Sequence, residues 1–229
     1  MSTSPTSTGD TASQRGRWPI AFLLAFGVIV NFFDRINLSV SQEALHAAFG
    51  LSLISFGYLS SAFSWSYAAM QVPAGLLLDR FGVRGVGRIA TFLWSVASFC
   101  AALSTGLTGL FAARLLLGVA ESPTFPANAK AIGLWFPERE RSLPIAVTDA
   151  AAKLSSAIGV PLIGILLLHF GWRWSFAATG FFSLIYFALF PGCIATRSRI
   201  ASRRQRGALP ASGLTNLRTF QRVNCRQPR

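Results

Sequence analysis

NFFDRINLSV, residues 31–40, closes an apolar run that begins at Trp18 with WPIAFLLAFGVIV. The run is long enough to cross a bilayer, yet it carries an acid and a base side by side, Asp34 and Arg35. A charged side chain near the bilayer centre costs about 2.5–3.5 kcal/mol on insertion scales, so such residues face a bundle interior or a wet cavity. The spacing of Asn31, Asp34, Asn37 and Ser41, three or four apart, gives this helix one polar stripe.

The rest of the chain repeats the theme. Of 229 residues, 52% are hydrophobic and 13% charged, with mean hydropathy +0.48. A soluble domain carries about twice that share of charge. Long apolar segments fall at 18–41, 54–78, 86–104, 107–128, 143–168 and 173–195. Each is long enough for about 30 Å of hydrocarbon at 1.5 Å per residue, and in lipid the backbone must pair within the segment, which predicts helices. The expected fold is an all-α membrane protein, a six-transmembrane-helix bundle over residues 18–196.

The remaining segments are polar. Residues 1–17 are rich in Ser and Thr and read as a disordered lead. No A-x-A-like site follows the first apolar run, which argues against a signal peptide. Residues 197–229 hold nine of the 21 basic residues and no acid, leaving 12 bases against 8 acids in the body. This segment reads as a basic, disordered tail. Anionic lipid is one partner for such arginines, and nucleic acid is set aside.

Orientation follows the Lys/Arg bias. With the N-terminus inside, the inner segments hold Arg15, Arg17, Arg80, Arg84, Arg88, Arg139 and Arg141, against Arg173 outside. Both termini are therefore expected in the cytoplasm, in a multi-pass protein of the inner (plasma) membrane.

Candidate functional residues are the polar ones within apolar segments. Arg114 and Glu121 lie seven apart, on one helix face. Tyr67 and Gln71, four apart, give the second segment a polar face. Three helices can thus line one path. A buried arginine offers a planar fork that suits a carboxylate, and a carboxylate shielded from water can load and release a proton. The alternative for each charge is mutual neutralisation, most simply between Asp149 and Lys153 at i,i+4. Gly118, Ser122, Ser155 and Gly159 suit close helix packing. Cys100, Cys193 and Cys225 form no disulfide or metal-ligand spacing, and His46 and His169 fall in predicted connections. No metal, cofactor or enzymatic nucleophile–base pattern is apparent.

These residues also carry a resemblance. GLLLDRFGVR, residues 75–84, fits the GxLxDRxGxR signature between helices two and three of the major facilitator superfamily, and RLLLG, residues 114–118, fits its helix-four RxxxG element. With DRINLS, FSWSYAAMQVPAG and GVAESPTFPANAKAIGLWFPERERS, the chain resembles the anion:cation symporter branch, which includes sugar-acid (galactonate, glucarate) and phthalate permeases. The resemblance implies proton-coupled symport of a small organic anion. Arg35 then contacts the substrate carboxylate, with Tyr67 in the same cavity and Asn31 and Gln71 as further substrate-binding candidates. Asp34 and Glu121 become proton-coupling acids, and Arg114 the partner that tunes Glu121. Gly75, Asp79, Arg80, Gly82 and Arg84 form the gating motif. Family members have two six-helix halves, so this chain is expected to equal the N-terminal half, with the partners of Asp79 and the second cavity wall missing. Truncation of a longer transporter is the first expectation. A half-size homodimer and a non-transporting membrane fragment are the alternatives.

Overall fold

The computed structural model describes residues 17–208, with side chains through residue 190. The chain divides into two units, Met1–Pro191 and Gly192–Arg229. Within the second, residues 192–208 are helical. Residues 197–208, expected to be irregular, thus form helix; the remainder of that tail, 209–229, and residues 1–16 of the lead lie outside the described residues.

The described residues are helical, with no strand. Helix α1 spans Trp18–Val40, with Pro19 in its first turn, where its missing N–H leaves nothing unpaired. The Ser41 N–H closes it on the Asn37 carbonyl at 3.0 Å. A short helix, α2 (Gln42–Phe49), follows and ends at Gly50 in the left-handed region, φ 62°. Here the sequence reading had a connecting loop; His46 sits within α2. Helix α3, Leu53–Leu103, starts at Ser52, whose side chain accepts from the Ser55 N–H at 3.1 Å.

Among the described residues, three helices are long and apolar enough to cross a membrane: Trp18–Val40, Leu53–Leu103 and Glu138–Phe190. The second and third, of 51 and 53 residues, far exceed the roughly 20 residues one crossing takes. Both break at a glycine. Gly82 has φ 75° and ψ 163°, and Gly171 has φ 80° and ψ 169°, a region that disfavours any Cβ. The breaks fall where the sequence reading placed the connections at 79–85 and 169–172. Pro73 and Pro161, by contrast, lie within continuous helix.

The fourth predicted segment, 107–128, is not one helix. Helix α4 (Leu107–Glu121) stops at Ser122–Pro123, and α5 (Thr124–Trp135) runs seven residues beyond the expected end. Helix α6, Ser142–Ala208, follows a single 3-10 turn at Glu138–Glu140.

The bundle is built with polar residues inside and apolar ones outside. Asn31, Asp34, Asn37, Ser41, Arg114 and Glu121 are buried, while Val72, Leu76, Ile89, Leu168 and Phe181 are exposed. That inversion suits hydrocarbon as the surrounding solvent. Close packing falls at the small residues: a Cβ at Gly118 would collide with Ser66 and the Phe63 carbonyl, and one at Gly159 would meet Phe33 at 3.0 Å. Leu38, Leu45, Leu51, Leu59, Leu110 and Phe176 form a buried apolar cluster.

Candidate functional site

Arg35 and Glu121 meet across the bundle. The Arg35 Nε donates to Glu121 Oε2 at 3.2 Å. The Glu121 side chain is fully buried, whereas Arg35 keeps 29% of its side-chain surface exposed. Glu121 is the last residue of α4, next to the Pro123 break, so its carboxylate projects from a helix end. The pair is half satisfied: Glu121 Oε1 and Arg35 Nη2 are buried without partners.

Aromatic rings hold the Arg35 guanidinium. Its carbon lies 4.9 Å from the ring centres of Phe63 and Tyr67, 5.6 Å from Phe32 and 6.0 Å from Phe125. Ring faces attract a cation at such distances without competing for its N–H groups. The rings come from α1, residues 53–81 and α5, so the guanidinium sits where three elements converge. Phe63 and Tyr67 stack at 5.5 Å, and Gly118 lets α4 approach the backbone beneath them.

Asp34 takes part in a second, buried polar cluster. Its carboxylate accepts from the Trp94 indole N–H, from Ser98 Oγ at 3.1 Å and from Ser183 Oγ at 3.4 Å. Donors from residues 83–103 and 172–190 thus converge on one α1 side chain. Arg114 donates to the Asp34 backbone carbonyl at 3.4 Å and lies 5.3 Å from the Phe176 ring. Adjacent residues of α1 therefore serve two clusters, because consecutive helical side chains diverge by about 100°.

Several sequence expectations change in detail. The residue that bonds Glu121 directly is Arg35, and Arg114 donates to the backbone of α1. Asp79 has a partner within this chain: Lys130 of α5 lies 2.5 Å from its Oδ1 and also donates to the Leu78 carbonyl at 3.0 Å. Asp149 and Lys153 form no ion pair within the described residues and both are exposed. Asn31 is buried with both amide atoms unpartnered, and Gln71 is half-buried on the helix that carries Tyr67. In the gating motif, Arg80 stacks on Phe81 at 5.6 Å, Arg84 is exposed, and Gly82 supplies the chain reversal. A Cβ at Gly75 would meet open space.

Sequence reasoning missed Trp94, Ser98, Ser183 and Lys130. A signal for the serines existed: Thr91, Ser95 and Ser98 recur at four and three, and Thr179 and Ser183 at four, each a polar stripe on an apolar helix.

A helical bundle with apolar side chains outside and a buried carboxylate paired with arginine inside has the build of an integral membrane protein. The chain belongs to the Major Facilitator Superfamily, whose match covers residues 24–224. Among curated relatives, it is 39% identical over 174 residues to a protein of Bacillus subtilis (strain 168) described as "Uncharacterized transporter YybO", covering 76% of this chain and 40% of that one. It is 35% identical over 179 residues to the "Probable galactarate/D-glucarate transporter GarP" of Escherichia coli (strain K12), again covering 76% and 40%. It is 34% identical over 180 residues to the "D-galactonate transporter" of Escherichia coli O6:H1, covering 77% and 42%. The chain thus spans about two fifths of the length of these relatives. Among solved structures, an inward-facing bacterial homolog of the human lysosomal transporter Spinster superposes with TM-score 0.70 at 18% identity, covering 78% of this chain and 43% of that one. The proton:xylose symporter XylE superposes with TM-score 0.67 at 17% identity, covering 78% and 45%.

Proposed function

We propose that this chain forms the N-terminal half of a proton-coupled symporter for a sugar acid such as galactarate, glucarate or galactonate. The observation that carries the reading is the Arg35–Glu121 pair, held among four rings with one Arg35 nitrogen and one Glu121 oxygen unpartnered. An arginine fork suits a carboxylate bidentately. While Glu121 is ionised it competes with substrate for that fork. A proton on Glu121 removes the competing charge and leaves Arg35 free to take the substrate's carboxylate. Proton and anion then load together, which is symport.

The other residues take supporting roles. Tyr67 borders the guanidinium, and Gln71 and Asn31 supply polar groups suited to sugar hydroxyls. Asp34 is a second proton-coupling acid, and Arg114 fixes the backbone beside it. Asp79 and Lys130, with Arg80, Gly82 and Arg84, form a cytoplasmic gate between residues 53–81 and α5. The protein sits in the inner (plasma) membrane with both termini in the cytoplasm. The names of the galactarate/D-glucarate and D-galactonate relatives support the substrate class.

A second reading has two copies pair as a half-size homodimer. Reconstitution separates the two. Vesicles holding the chain alone, and the chain fused to the second half of the Escherichia coli D-galactonate transporter, are given labelled galactonate under an inward proton gradient. Uptake by the fusion alone supports the half-transporter, and uptake by the chain alone supports the homodimer. In either case Arg35→Ala abolishes it. Gradient-independent uptake, or uptake that survives Arg35→Ala, overturns the reading.

A further inference from the structure

A second set of unpartnered polar atoms lies apart from the Arg35 cage. Between residues 83–103, α5 and residues 172–190 lies a small recess of about 20 Å³, lined by Thr91, Asn128, Tyr186 and Phe190 among others. Asn128 is 6% exposed, and its amide nitrogen has no partner. A buried donor without an acceptor costs about 1–3 kcal/mol. The space exceeds the roughly 10–15 Å³ that one water needs, and a structural water takes two to four polar partners.

The polar groups on the walls complement one another. The Thr91 hydroxyl donates to the Gly87 carbonyl at 2.8 Å, so its oxygen is left to accept. Asn128 can only donate through its free nitrogen. Tyr186 offers a hydroxyl that does either. These three groups match the donor and acceptor needs of one water.

Tyr186 brings this wall against α1, the helix that carries Asp34. A Cβ at Gly27 would overlap the Tyr186 hydroxyl, so that hydroxyl rests on the α1 backbone. Gly27, Asn31 and Asp34 are four and three apart, on one face. Asn31 is fully buried, and both its amide atoms lack partners. On the other side, the Tyr186 ring lies 6.2 Å from Trp94, whose indole N–H bonds Asp34. A line of polar groups about 10 Å long, by helical rise, thus runs along α1 from Tyr186 to Asp34.

We propose that Asn128, Thr91 and Tyr186 hold a buried water, and that Asn31 extends this hydrated file along α1 to Asp34. The file gives a proton on Asp34 a hydrogen-bonded route through the core of one half-bundle, separate from the substrate cage. That use rests on Asp34 being a proton-coupling group; the water site itself does not.

The test is hydroxyl-radical footprinting of the purified chain in lipid nanodiscs, where a millisecond X-ray pulse splits bound water and oxidises the side chains beside it. Tyr186, though 2% exposed, is expected to be oxidised, while the equally buried Phe176 stays unmodified. In Asn128→Leu/Thr91→Val, oxidation of Tyr186 is lost and that of exposed Tyr58 is unchanged. Tyr186 unmodified in the native chain overturns the proposal, as does equal oxidation in the folded double variant. The native-chain result decides the matter even where the variant fails to fold. Failure of proton-driven uptake with Tyr186 still oxidised would remove the transport reading and leave the water site standing.

Discussion

Arg35 and Glu121 are joined at 3.2 Å, 86 residues apart in sequence, with the carboxylate fully buried and the guanidinium partly open. The asymmetry of burial decides how each partner responds to loss of the other. Removing Arg35 strands a charge in a dry site, whereas removing the Glu121 charge leaves an arginine that solvent and four rings still accommodate.

Arg35→Ala is therefore expected to lower stability by about 3–5 kcal/mol, the penalty for an uncompensated buried charge. Glu121→Gln is expected to lower it less, and the double variant to recover most of the loss. Thermal unfolding in detergent checks the cycle. Additive losses in the double variant would mean that the pair is not coupled.

Trp94 is the least replaceable donor to Asp34. Ser183 has a second acceptor in the Thr179 carbonyl at 2.9 Å, but the indole N–H has the carboxylate alone among the bonds found. Trp94→Phe is expected to cost about 1–3 kcal/mol, as one charge-assisted bond is lost from a buried site. Ser183→Ala is expected to cost less. Unfolding midpoints of the two variants give the comparison, and the reverse order would contradict the assignment.

The Asp79–Lys130 pair should behave oppositely. Asp79 is 76% exposed and Lys130 35%, so screening limits the pair to about 0–1 kcal/mol. Lys130→Met is expected to change stability little, yet to raise the alkylation rate of a cysteine introduced at Gly133. Exchange of the two charges is expected to restore the native rate. An unchanged rate in Lys130→Met would remove the pair from the gate.

Gly118 sets the distance between α4 and residues 53–81. Gly118→Val would force apart backbone atoms at Phe63 and Tyr67, two walls of the Arg35 cage. Overpacking of this kind costs about 1–3 kcal/mol. Unfolding midpoints check it, with Gly75→Ala, which meets open space, as the neutral comparison.

The helices and the charges worth attention were legible because hydrocarbon imposes simple rules. Apolar runs must be helical, and an ion within one must face inward. Gly82 and Gly171 fell where the apolar runs paused, so the reversals were visible. Partner identity was not. Asp34 finds donors 60, 64 and 149 residues away, and no local pattern fixes which helix packs on which face. Lys130 falls just beyond the apolar segment 107–128, and its partner Asp79 is 51 residues away.

Equilibrium binding of labelled galactarate to the purified chain tests the central claim most directly. The account predicts binding by the native chain, roughly tenfold tighter binding by Glu121→Gln, equal to about 1.4 kcal/mol, and none by Arg35→Ala. Binding by Arg35→Ala as strong as that of the native chain would contradict it.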